Sequence, residues 1–125
     1  MKTSKRRILL VDDEVSLSQI LKTGLEACGY EVQSENEPAR ALQVVRAFKP
    51  DLIVLDIQMP GKDGGKVEQE LHDQEDVGKI PIIFLTGMLS KEDIARSEGQ
   101  QARVLAKPVS IVELTKCIEE RLGAQ

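Results

Sequence analysis

Aromatic side chains are scarce in this 125-residue sequence: one Tyr, two Phe and no Trp, 2% of the chain. A nucleic-acid platform that stacks bases needs aromatic faces, so this scarcity argues against one. It also requires an aliphatic core. Positive charge is in deficit as well. Lys and Arg number 17 against 21 Asp and Glu, a formal net charge of −4. That balance argues against holding nucleic acid by charge alone. Long hydrophobic runs are missing. Apolar runs such as Ile8–Val11 stop after four residues, whereas a bilayer span needs roughly 20. The basic stretch Met1–Arg7 leads into Ile8–Val11 and then two aspartates, which is too short an apolar segment for a signal peptide. A cytoplasmic protein is expected, with no membrane partner and no direct nucleic-acid partner. The two cysteines, Cys28 and Cys117, lack metal-type spacing and fall inside apolar helical patterns. They are expected to be buried free thiols. The single histidine, His72, has no His or Cys beside it and is expected at the surface. No linker, repeat or low-complexity stretch divides the chain. Its length fits one domain, expected over 1–125 with a core from about Arg6 to Leu122.

What is present is an alternation of short apolar runs and helical patterns. Ile8–Val11 is continuously apolar, as in a strand buried on both faces. Between Glu14 and Cys28, apolar Leu17, Ile20, Leu21, Leu25 and Cys28 recur at helical spacing, and Gly29 stops the helix. Tyr30–Glu35 alternates and is more polar, which suits an edge strand. Asn36 is placed to cap the next helix, with Pro38 in its first turn and Ala41, Leu42, Val45 and Phe48 on its apolar face. Pro50 breaks the chain before a second buried strand, Leu52–Leu55. A turn-rich segment, Met59–Gly65, leads into a weak helix from about Lys66 to Gln74. Ile80–Leu85 reads as the next strand. Ser90–Asp93 resembles a capping box and opens a poorly amphipathic helix, and Val104–Ala106 is the last strand. Ser110–Glu113 is a cleaner capping box, with Ile111, Leu114, Ile118 and Leu122 on one face of the helix it starts. The sum is an α/β fold, (βα)5, with a doubly wound parallel five-stranded sheet of order 2-1-3-4-5.

An open sheet of this type binds ligands at the carboxyl ends of its strands, at the switch point between the first and third. The residues after those runs are Asp12 and Asp13, Asp56, Thr86 and Lys107. Like charges 4 Å apart repel by roughly 4 kcal/mol at an effective dielectric near 20. Clustered carboxylates therefore call for a cation. Lys107 supplies one positive charge. Oxygen donors with no His or Cys nearby favour Mg²⁺ for the rest. A carboxylate in such a place can accept a phosphoryl group, and Thr86 and Lys107 are of the right chemistry to bind its oxygens.

The residues Ile8–Glu14, Leu52–Pro60, Asp63-Gly64, Leu85-Thr86-Gly87 and Lys107-Pro108, in this order and spacing, make the chain resemble the receiver domain of bacterial two-component response regulators over essentially its full length. The resemblance implies the flavodoxin-like, CheY-like form of the fold. It implies Asp56 as phospho-acceptor, with Asp12, Asp13, Asp56 and the backbone carbonyl of Gln58 around Mg²⁺. Thr86 would bind the phosphoryl group, Lys107 would pair with one of its oxygens, and the Lys107-Pro108 bond would be cis. The implied donor is a sensor histidine kinase or a histidine phosphotransfer protein. The implied output is a surface spanning the helix opened by Ser90, the strand at Val104 and the helix opened by Ser110, read by a downstream protein or an output domain absent from this chain. Only Gly123-Ala124-Gln125 follow the last helix, so a stand-alone receiver or one cut at a domain boundary is expected.

Three departures stand out. Val104 occupies the place of the usual aromatic partner of the threonine, so the switch would run through backbone, through a neighbouring loop or with weak output. Lys62 stands where an apolar residue usually precedes Asp-Gly and is expected to be a solvated loop lysine or a contact for an acidic partner, and Gly65 is expected to loosen the start of the third helix. Gly99, followed by Gln100-Gln101, lies one residue early before the last strand, which makes 90–101 the expected mobile part of the output face. Gln58 and Met88 hold the positions expected to tune phosphoryl lifetime. Two other readings compete: an unphosphorylated pseudo-receiver that serves as a binding module, and a haloacid-dehalogenase-like phosphatase. The second would place its acids as Asp-x-Asp, whereas Asp12 and Asp13 are adjacent.

Overall fold

The computed structural model describes residues 5–56, 69–86, 102–106 and 110–123. Five parallel strands form one sheet in the order β2-β1-β3-β4-β5. They are β1 (Arg7–Val11), β2 (Glu31–Glu35), β3 (Leu52–Asp56), β4 (Ile82–Thr86) and β5 (Ala102–Ala106). Helices α1 (Val15–Ala27), α2 (Ala41–Phe48) and α3 (Ile111–Leu122) pack against it. Residues 69–72 are also helical, within the weak helix expected there. Lys62 and Gly65, and separately Met88 and the helix expected from Ser90, lie outside the described residues.

Why the central strands are apolar between their ends is visible in the two core layers. Successive strand side chains point to opposite faces. Ile8 and Leu10 of β1, Leu52 and Val54 of β3, and Ile83 and Leu85 of β4 pack with Leu21, Leu25, Leu114 and Ile118. The alternate residues Leu9, Val11, Ile53, Leu55 and Ile82 pack on the other face with Ala41, Val44, Val45 and Leu71. With both faces covered, no position in these strands can be polar until the strand reaches the rim. Both layers are aliphatic, as the shortage of rings requires.

Three local expectations are corrected. Cys117 is buried, but Cys28 is exposed. Helix α1 ends at Ala27 and the chain reverses at Gly29 with φ +100°, so Cys28 leaves the helical face. Ile20 is 64% exposed; Ser18, Leu21 and Leu25 are the buried residues of α1. Asn36 does not cap a helix. A 3-10 turn at Pro38–Arg40 intervenes, and α2 starts after Arg40 without a side-chain cap.

Other expectations hold. Ser110 and Glu113 form a reciprocal capping box at the start of α3. His72 is exposed. Pro81 precedes β4, where a missing N–H costs nothing, and its carbonyl accepts from Ile53 N–H at 3.0 Å. Lys49 closes α2 in the left-handed conformation, φ 55°, just before Pro50. Arg46 then ties α2 to the 73–80 turn through Asp76 at 2.9 Å and Gln74 at 2.7 Å. The Arg46 hydrogen bond holds the Asp76 carboxyl below its usual value.

Candidate functional site

Register alone brings the acids together. Val11 pairs with Leu55, so the residues that follow, Asp12 and Asp56, stand side by side at the carboxyl rim of neighbouring strands. Asp56 is the last residue of β3 rather than the first beyond it. Asp13 lies on the loop that turns from β1 into α1. One carboxylate oxygen from each of Asp12, Asp13 and Asp56 falls within 4.8 Å of the others. Asp12 is 4% and Asp56 3% exposed, while Asp13 is the least buried of the three.

Three hydrogen bonds hold the loop around Asp12. Its N–H donates to the Glu35 carbonyl at 3.1 Å, extending the β1–β2 ladder by one step. Its Oδ1 accepts from the Glu14 N–H at 2.8 Å, a turn of the kind Asp side chains favour. Its carbonyl accepts from Asn36 Nδ2 at 2.6 Å. Below the acids, Leu10, Val54 and Leu85 close the packing and leave no space for a water molecule. The acids are thus closed off on the core side.

The donor set suits a hard divalent cation. Three carboxylates supply oxygen alone, and Mg²⁺ is held by one or two carboxylates while keeping water on its other positions. Bringing three anionic groups within 4.8 Å is costly unless positive charge stands among them. The site thus fits the ion expected from the sequence.

Thr86 ends β4, one step beyond the Asp56–Leu85 pair, and Ala106 ends β5 opposite it. This brings the backbone of Thr86 to the same rim, with Lys107 next in the chain after β5. The side chains of Thr86 and Val104, and residues Gln58, Lys107 and Pro108, lie outside the described residues.

Asn36 and Ser18 were not legible as site residues. Asn36 reads locally as a helix cap. Ser18 did carry a signal: it stands at helical spacing from Leu21 and Leu25 and so falls on the buried face of α1, where it is 2% exposed.

A doubly wound parallel sheet with an acidic pocket at its switch point defines a class, and the comparisons agree with it. The chain belongs to the response regulator receiver domain family, whose model matches residues 8–119. It is thus a signalling domain of two-component systems rather than an enzyme acting on external substrates, which sets aside the phosphatase reading.

Among individual relatives, it is 31% identical over 119 residues to the polar-differentiation response regulator DivK of Brucella ovis, covering 94% of this chain and 97% of that one. It is 40% identical over 123 residues to a protein of Cyanophora paradoxa named "Probable transcriptional regulator ycf27", covering 98% of this chain. The chain spans 35% to 50% of the length of the ycf27 relatives it matches. The structure of the chemotaxis protein CheY4 of Vibrio cholerae superposes with a TM-score of 0.84 at 27% identity, covering 95% of this chain and 100% of that one. Among the described residues no helix is long and apolar enough to cross a membrane.

Proposed function

We propose that Asp56 is the phospho-acceptor of this receiver and that Asp12, Asp13, Asp56 and the backbone carbonyl of Gln58 hold Mg²⁺ beside it. The observation that carries this reading is the cluster itself. One oxygen from each of three carboxylates lies within 4.8 Å of the others at the switch point of the sheet, in a family whose members are phosphorylation-controlled. The bound ion would offset the negative charge that carboxylates and an incoming phosphoryl group bring together.

The chemistry assigned to the chain is a phosphoryl transfer. An Asp56 carboxylate oxygen forms a bond to the phosphorus of a phosphohistidine while the P–N bond breaks, and the imidazole leaves with the electron pair and takes a proton. The donor is a sensor histidine kinase or histidine phosphotransfer protein. Lys107 neutralises a phosphoryl oxygen and Thr86 donates a hydrogen bond to another. Burial of Asp12 and Asp56 strengthens such contacts because solvent screens them less. The new charge then biases a two-state surface built from 90–101, β5 and α3, which a downstream protein or an attached output domain reads. The working unit is a single domain with its core between Arg6 and Leu122, acting in the cytoplasm.

Incubation with acetyl phosphate and Mg²⁺, followed by intact mass measurement, tests the assignment. One phosphoryl adduct is expected on the wild type, none after chelation of Mg²⁺ and none on Asp56→Asn. Lys107→Ala is expected to keep the fold and lose the spectral change that beryllofluoride, an acyl-phosphate mimic, induces in the wild type. Full labelling of Asp56→Asn would remove the assignment. An unlabelled wild type would instead favour the pseudo-receiver.

A further inference from the structure

Asn36 leaves the end of β2 and turns its side chain back across the sheet rim. Nδ2 donates to the Asp12 carbonyl at 2.6 Å and to Ser18 Oγ at 3.3 Å, partners 24 and 18 residues away in sequence. One amide group thus joins the segment after β2, the loop after β1 and the body of α1. Ser18 is a hydroxyl 2% exposed in the core, and its Oγ receives the second Asn36 contact. Buried polar atoms need such partners, so each residue gives the other a reason to stay in place.

We propose that Asn36, backed by Ser18, is a positioning residue for the metal centre. It fixes the Asp12 peptide and so presets the Asp12 carboxylate against Asp13 and Asp56 before the ion arrives. The proposal rests on the reading of those three acids as a Mg²⁺ site. Its physical basis is repulsion. Clustered carboxylates push apart in the free protein, and ordering them on binding costs affinity. A backbone tie that resists the spreading moves that ordering into folding. The Asp12 N–H contact to Glu35 and the Oδ1 contact to Glu14 act along the rim. The Asn36 contact adds an anchor into α1.

Groups that orient metal ligands typically matter by tenfold or more in affinity. Mg²⁺ titration of the full chain, followed by amide chemical shifts around Asp13 and Asp56, measures Kd without any phosphoryl chemistry. Asn36→Leu keeps the side-chain size and removes both donors, and Asn36→Ala removes the bulk as well. Each is expected to raise Kd roughly tenfold. Val45→Ala, in the opposite core layer, is the control: it lowers melting temperature and leaves Kd at the wild-type value. An unchanged Kd in Asn36→Leu, or equal weakening in Val45→Ala, overturns the positioning role. Should the Asn36 variants not fold, Ser18→Ala decides: a smaller rise in Kd is expected, and no rise overturns the role. A wild type that binds no Mg²⁺ overturns the metal reading and this role with it. That failure shows before any substitution is made.

Discussion

Tyr30 is the single tyrosine of a chain without tryptophan, so its ionisation can be followed alone by near-ultraviolet absorbance. Burial beside α1, together with the nearby Glu119 and Cys28, raises its pKa above 10.0, and Arg6 opposes the shift. A raised phenol pKa means that the fold favours the neutral form. The associated stability is whole below the unfolded value near 10 and is lost as pH climbs through the folded value. The titration midpoint is therefore expected above 10.0 in the native protein and near 10.0 in denaturant, and Tyr30→Phe should remove that part of the alkaline destabilisation. A native midpoint at or below the denatured one would contradict this environment. Residues of the site differed in how plainly they could be read. Asp12, Asp13 and Asp56 were legible because topology alone carries strand ends to one rim. Asn36 was not, because its local pattern points to helix capping and its actual partners lie across the fold.

At the scale of elements, the seam between α1 and α3 is set by a glycine. A methyl group added at Gly24 would lie 2.5 Å from Ile111 Cδ1 and 2.6 Å from its Cγ1. Replacing a helical glycine by alanine ordinarily gains up to about 1 kcal/mol, while overpacking a close contact costs about 1–3 kcal/mol. The clashing atoms belong to a β-branched side chain that is stiff at χ1 in a helix, so the second effect is expected to win. Gly24→Ala should lose about 1 kcal/mol in denaturant unfolding. Adding Ile111→Ala should turn the alanine at residue 24 from a cost into a gain, which a double-mutant cycle would show. A stabilised Gly24→Ala single variant would refute the close approach. Nothing in the α1 sequence marks this contact, since an isolated glycine inside a helix reads only as a weakness. The buried strands were legible for the opposite reason: covered on both faces, β1 and β3 leave no room for a polar residue between their ends. Ile20 misled because apolar spacing marks a helix without saying how wide its buried stripe is.

For the whole molecule, the acid cluster couples ion binding to stability. A ligand that binds only the folded state stabilises it by about 2.7 kcal/mol at a hundredfold excess over Kd. Mg²⁺ is thus expected to raise the melting temperature in a concentration-dependent way, and Asp13→Asn should flatten that dependence. At equal ionic strength, K⁺ should have little effect. Equal shifts with K⁺ would mean general screening instead of a site. The order of the five strands and the two core layers were legible from periodicity, whereas the output face came only from the family resemblance, because periodicity does not say which surface a partner reads.

An open sheet must also end somewhere, and β2 forms one of its rims. Its exposed positions carry Glu31 and Gln33, with Val32 turned inward and Glu35 near the site. A second copy approaching this edge to extend the sheet would set Glu31 against Glu31 or desolvate the Arg7–Glu31 ion pair (3.4 Å), both unfavourable. The same polar alternation that marked β2 as an edge thus discourages strand-to-strand aggregation along that side of the sheet.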